Sequence, residues 1–139
     1  MEILTIDGLR DLSLKTIIGR PDLATMRLAT ASEILALSGN VSRGRNRGLV
    51  TNWRLVAIEL ARRPARVILL GTRHGENYGT SLVQAIDGSA RRIRTRSGSI
   101  YTLAEAGQGE PPLEHLLHLC HLFHRWGVGQ PLEVPRVWY

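Results

Sequence analysis

The sequence predicts an α+β fold: a helical N-terminal section, a central five-stranded antiparallel small barrel or curled sheet of SH3-like size, and a C-terminal amphipathic helix. Three observations predict it. Five short apolar runs between Trp53 and Leu103 are separated by tight-turn signals, which is the pattern of an antiparallel meander. The run Trp53–Leu60 is apolar on both faces, as a strand must be when its sheet closes or is covered twice. Leu113–Trp126 repeats its apolar residues at helical spacing. With 139 residues the chain suits a single domain, read as residues 1–139. Hydrophobic residues make up 43%, enough for a core, but aromatics only 5%, so that core rests on Leu, Ile, Val and Ala.

Residues 1–48 read as a helical section followed by a basic loop. Glu2–Ile6 suits a short strand with Asp7-Gly8 as its turn, while Leu9, Leu12 and Leu14 fit neither period. Gly19-Arg20-Pro21 breaks what precedes it. Thr30-Ala31-Ser32-Glu33 is a capping box, with Ile34, Leu35 and Leu37 as the apolar face behind it. A helix is expected within Asp22–Ser38, starting either at this box or at Pro21. Asn40–Arg47, with Gly44 and Gly48 among alternating arginines, reads as a mobile loop.

Strands follow at Trp53–Leu60, Arg66–Thr72, Thr80–Ile86, Arg92–Arg96 and Ser99–Leu103. Their turns are Ala61–Pro64, His74–Asn77, Asp87-Gly88 and Ser97-Gly98. Ala104–Glu110 is a linker. Pro111-Pro112 opens the C-terminal helix, residues 111–127, and Gly127 closes it. Pro131 and Pro135 predict an extended tail over 128–139, whose apolar end Val137-Trp138-Tyr139 should dock on the body.

Charge sharpens the functional reading. Eighteen basic residues face twelve acidic ones, and Lys15 is the only lysine. Residues 1–42 carry net −1 and residues 97–139 net −2, whereas residues 43–96 hold twelve arginines and net +9. A block of that polarity attracts phosphate-rich or acidic partners. Arg92, Arg94 and Arg96 alternate with Ile93 and Thr95, so a strand places all three on one face at about 7 Å intervals, suited to successive phosphates. Arg91 and the loop residues Arg43, Arg45 and Arg47 extend that surface. The bland alternative is a solvated sheet face that protects an edge.

Other candidates are weaker. His115, His118, His121 and His124 recur every third residue and wind around the helix, so only His118 and His121 with Glu114 make a metal candidate. Cys120 lies on the apolar arc beside His124 and reads as buried structure rather than as a nucleophile. His74 and Glu76 near Tyr78 are turn residues. A helix-turn-helix with Ser32–Leu37 as first helix is disfavoured by Gly44 and Gly48. No phosphate loop, dinucleotide fingerprint or nucleophile elbow occurs, so no cofactor and no catalytic residue are expected. One cysteine excludes an internal disulfide framework. The N-terminus lacks the pattern of a signal peptide and no apolar run is long enough to span a membrane, so a cytoplasmic setting without membrane contact is the expectation.

Thr80–Val83, Ile86-Asp87 and Arg94–Leu103 resemble hairpins of small accessory proteins of bacterial plasmids and phages. That resemblance implies a mobile-element setting and binding to host or defence machinery. The expectation is a non-catalytic protein whose Arg-rich face contacts nucleic acid or a nucleoprotein complex. The alternative is an inhibitor or adaptor, of the anti-CRISPR or anti-restriction kind, meeting an acidic protein partner with Trp138 and Tyr139 as interface anchors. A metal-dependent enzyme using the histidine helix is the third reading.

Overall fold

An up-and-down meander that closes on itself with five strands has a forced feature. Successive strands alternate in direction, so the first and fifth run the same way and pair in parallel. The computed structural model, which describes residues 11–136, has this form. Its elements are α1 (Leu14–Ile17), β1 (Ala24–Leu28), α2 (Ala31–Ala36), β2 (Arg45–Leu60), β3 (Arg66–Arg73), β4 (Glu76–Asp87), β5 (Arg92–Thr95), β6 (Ser99–Leu103) and α3 (Leu113–Arg125). Strands β2 to β6 pair antiparallel in chain order, and β6 returns to pair with β2 in parallel. The expected α+β class and small barrel are therefore observed, as a ring of five strands. A sixth strand, β1, adds to the outside of β2, with Ala24 opposite Leu60 and Leu28 opposite Val56.

Strand β2 begins at Arg45, eight residues before the expected start, and does two jobs. Its first part pairs with β6, and its last part pairs with β1 and β3. Two register shifts, at Asn46/Leu49 and Thr51/Arg54, bend it between these tasks. Gly48 sits at the first shift with φ +93°, a conformation open to glycine, and its N–H is held by the Asn46 side chain at 3.0 Å. The glycines that suggest a loop thus permit a bulged strand. The disfavoured helix-turn-helix, whose second helix would start at Ser42, is ruled out by this strand.

Two cores flank the sheet, and the two-residue period of β3 sorts its residues between them. Val67 and Leu69 enter the barrel with Val50, Leu55, Val83, Ile93 and Tyr101. Ile68 and Leu70 face the other way and pack under the helices with Val56, Leu116, Leu119 and Phe123. This is the two-sided burial that the Trp53–Leu60 pattern requires. The capping box forms as expected: the Thr30 hydroxyl accepts the Glu33 N–H at 3.1 Å and Glu33 returns to the Thr30 N–H at 2.8 Å. The helix it starts is only six residues long, because Met26 belongs to β1 and Leu23 to the turn before it.

The segment after α3 departs from the extended chain that Pro131 and Pro135 suggest. Residues 128–134 fold into turns, with Leu132 N–H on Val128 O and Val134 N–H on Gly129 O. The reason is burial: Val134 reaches the helix-side core, and Leu132 O accepts the Gly19 N–H at 3.0 Å. The 1–10 and 137–139 expectations lie outside the described residues.

Candidate anion-binding surface

Among the described residues, ion pairs use only two arginines. Arg20 meets Asp22 at 2.9 Å, and Arg27 meets Glu33 at 2.6 Å and Glu59 at 3.4 Å. The Arg27 guanidinium, with help from the Thr30 N–H, pulls the Glu33 carboxyl down to about 2. None of the twelve arginines in 43–96 forms an ion pair among the described residues, although Glu110 lies close enough to act on the Arg54 charge. The +9 block is not neutralised from within.

On β5 the alternation is as the sequence suggests: Ile93 and Thr95 are buried and Arg92 is exposed. Arg92 stands between Asp87 and Thr102, and Arg94 between Ala85 and Ile100. Cross-strand partners share a face, so these neighbours describe the surface around each arginine. Arg94 is half-buried, with its Nε 3.5 Å from Gln84 Oε1. Its partners Ala85 and Ile100 form a small buried cluster with Val41. The chain before β2 therefore straps this face. Gly39 N–H donates to Ile86 O, Val41 N–H to the Asp87 carboxylate, and Arg45 N–H to Gly98 O. Asp87 is held below the usual carboxylate range by the Ser89 hydroxyl and by the Val41 and Ala90 N–H groups. Arg96 lies past the end of β5, in the turn. It lines a groove of about 580 Å³ together with Arg66 and Gln84. The three arginines are thus a row with a strapped middle rather than a bare stripe.

The remaining expected contacts separate from that row. Arg91 has φ +54° and turns its guanidinium inward, onto the carbonyl oxygens of Leu103 and Ala104. Arg43 precedes β2 and is exposed. Arg45 and Arg47 are strand residues, not loop residues. The parallel register sets Arg45 beside Ser99, on the side of β6 that carries Tyr101, opposite to the side of Ile100 and Arg94. Arg47 Nε donates to Ser99 Oγ at 3.4 Å. These two arginines therefore edge the end of the barrel instead of extending the β5 face. Sequence reasoning missed Arg66 and Arg73, which are single arginines in apolar or turn contexts. Only cross-strand register brings them near the others.

The histidine helix holds structure. His115 is 1% exposed, and its Nε2 lies 2.9 Å from the Thr72 hydroxyl. Burial and, secondarily, the nearby Arg54 push its pKa down. His124 Nε2 pairs with Val134 O at 2.8 Å. The His118 and His121 rings lie 6.3 Å apart, and no group of three His, Cys, Asp or Glu among the described residues is placed to hold a metal ion. Cys120 is fully buried and burial pushes its thiol up to about 12, so it is not a thiolate at neutral pH. His74 occupies a left-handed turn position, and the Tyr78 hydroxyl is paired with that of Tyr101.

Beside α3 runs an apolar groove of about 360 Å³ lined by Ile58, Leu60, Leu82, Phe123, Trp126 and Val128, with Arg96 at its edge. Trp126 is 42% exposed there. Trp138 and Tyr139, expected as interface anchors, lie outside the described residues. No helix among the described residues is long and apolar enough to cross a membrane. The chain matches no protein-family model, no curated protein and no solved structure.

Proposed function

We propose that this protein is a non-catalytic binding module that contacts nucleic acid or a nucleoprotein complex through arginines of residues 43–96 other than the buried Arg54. The observation that carries the proposal is the missing neutralisation: twelve arginines in one block, none in an ion pair among the described residues. Where this fold needs an ion pair it uses acids near Arg20 and Arg27. Guanidinium groups left without carboxylates suit phosphates, which they grip with two parallel donors. Arg92, Arg94 and Arg96 form one approach, and Arg43, Arg45 and Arg47 a second around the barrel end.

Binding through phosphates is steep in salt and indifferent to sequence. Electrophoretic mobility shift across a salt series tests this. Changing Arg92, Arg94 and Arg96 to Ala should lower the slope of log affinity against log salt by roughly 2.7, since each phosphate contact contributes about 0.9. No binding at low salt, or an unchanged slope, sinks the proposal.

A second reading gives the same arginines an acidic protein surface, in an inhibitor or adaptor. What favours it is Arg96, which edges both the arginine groove and the apolar groove of Trp126. Arginine and an aromatic around apolar surface are the composition of protein interfaces. A stoichiometric partner that survives nuclease treatment in a pull-down would select it.

A further inference from the structure

One end of the barrel collects chemistry that the β5 face does not have. The starts of β2, β4 and β6 and the ends of β3 and β5 all meet there. Two guanidinium groups are fixed at this end through Nε alone. Arg73 Nε donates to Arg47 O at 2.7 Å, and its guanidinium carbon lies 5.1 Å from the centre of the Tyr78 ring. Arg47 Nε donates to Ser99 Oγ at 3.4 Å. The terminal nitrogens of both arginines have no partner among the described residues. Stacking and a backbone contact for Arg73, and the Ser99 hydroxyl for Arg47, cost these side chains rotamer freedom in advance, which is how anion sites are pre-organised.

Hydroxyl groups surround them. Tyr78 and Tyr101 pair at 2.8 Å, and Thr95, Ser97 and Ser99 form a chain, with Thr95 Oγ1 to Ser97 Oγ at 3.0 Å. Burial, then the Tyr78 hydroxyl, pushes Tyr101 up to about 12, so Tyr101 stays protonated at neutral pH. One acid stands at this end: Glu76, the first residue of β4, is the cross-strand partner of Arg73, and it forms no ion pair among the described residues.

We infer that this end of the barrel is a phosphate subsite, in which Arg47 and Arg73 grip the phosphate oxygens and the Ser97 and Ser99 hydroxyls complete the shell. The choice of phosphate rests on the polyanion reading above. The group is either a phosphate of a nucleic-acid strand or a free phosphate, and the test separates the two.

Amide NMR shifts are followed at constant ionic strength, first with inorganic phosphate and then with a single-stranded oligonucleotide carrying or lacking a 5′-phosphate. Saturable shifts at Arg47, Gly98, Ser99 and Tyr101 are expected with phosphate. Arg47→Gln or Arg73→Gln should weaken that binding by at least about tenfold, the value of one charge-assisted hydrogen bond. Arg125→Ala, at the end of α3, should leave it unchanged. If either glutamine variant loses its dispersed spectrum, Arg47→Lys or Arg73→Lys is read instead; it keeps the charge, loses the two-pronged grip and should still weaken binding. The same amides shifting with oligonucleotide identify a strand phosphate as the occupant, and shifts with inorganic phosphate only identify a free one. The inference is overturned by absent shifts, by full binding in both glutamine variants, or by an acidic peptide shifting these amides where phosphate does not. Phosphate binding without any oligonucleotide binding would leave the subsite standing and remove the nucleic-acid proposal.

Discussion

The two halves of β2 use arginine in opposite ways. In the second half, Arg54 is 8% exposed and fully engaged: it donates to Gly109 O and Gln108 O at 2.8 Å each, and to Asn52. It ties the linker before α3 onto the sheet, so closely that a Cβ at Gly107 would strike the guanidinium. Burial lowers its pKa from the usual arginine value. In the first half, Arg45 is exposed and its side chain has no hydrogen bond among the described residues. The difference is the neighbour. Antiparallel strands and the linker enclose Arg54, while the parallel partner β6 leaves Arg45 at an open barrel end. Residue type alone therefore does not mark a binding arginine; the count of carbonyls already claimed by it does.

Three perturbations test that division. The largest effect belongs to Arg54→Ala, which removes a buried guanidinium, strips the Gln108 and Gly109 carbonyls of their donor and frees the linker. Urea unfolding should show a loss of about 3 kcal/mol, in line with deleting one member of a buried charged hydrogen-bond set. A loss below about 1 kcal/mol would mean Arg54 is as dispensable as its exposed counterpart. Next is acid, acting on the same buried zone through His115. Its folded pKa is depressed, so the unfolded chain binds the proton first, and stability present above the ordinary histidine pKa falls as pH drops below about 6.5. The slope from one such histidine is at most about 1.4 kcal/mol per pH unit, and His118, also depressed by burial, adds to it. His115→Leu should flatten the slope measured by thermal unfolding between neutral and mildly acidic pH; an unaltered slope moves the effect to His118. The smallest effect is Arg45→Ala, which should change stability by less than about 0.5 kcal/mol, as exposed substitutions do. Affinity for single-stranded nucleic acid at low salt should fall in the same variant. Normal affinity would shift the binding surface away from the barrel end.

What the sequence revealed follows the range of the interactions involved. The capping box at Thr30, the two-faced strand around Val56, the Ser97-Gly98 turn and the alternation on β5 depend on near neighbours, and each was readable. Strand β1 was hidden because Met26 also fits a helical stripe with Leu23, and only the pairing of residues 24–28 with Leu60 to Val56 decides against the helix. The start of β2 was hidden because its partner lies more than fifty residues away, while its own glycines look like a loop. For the same reason the sequence placed Arg45 and Arg47 with Arg94, and could not foresee that parallel register sets them on the other side of β6. Arg73 was invisible as a site residue because its aromatic partner sits across a turn and its backbone partner, Arg47, comes from another strand.

The parallel closure has a kinetic corollary. Each hairpin of the ring joins residues close in the chain, but the β2–β6 pair spans the whole meander and bears the largest loop-closure entropy. It should form late, and it is the step that brings Arg45 and Arg47 to Ser99. An anion held at that end would favour the closed ring by mass action, in proportion to its concentration over its dissociation constant. Ligand occupancy and completion of the barrel would then be one equilibrium, read equally well by titration or by unfolding.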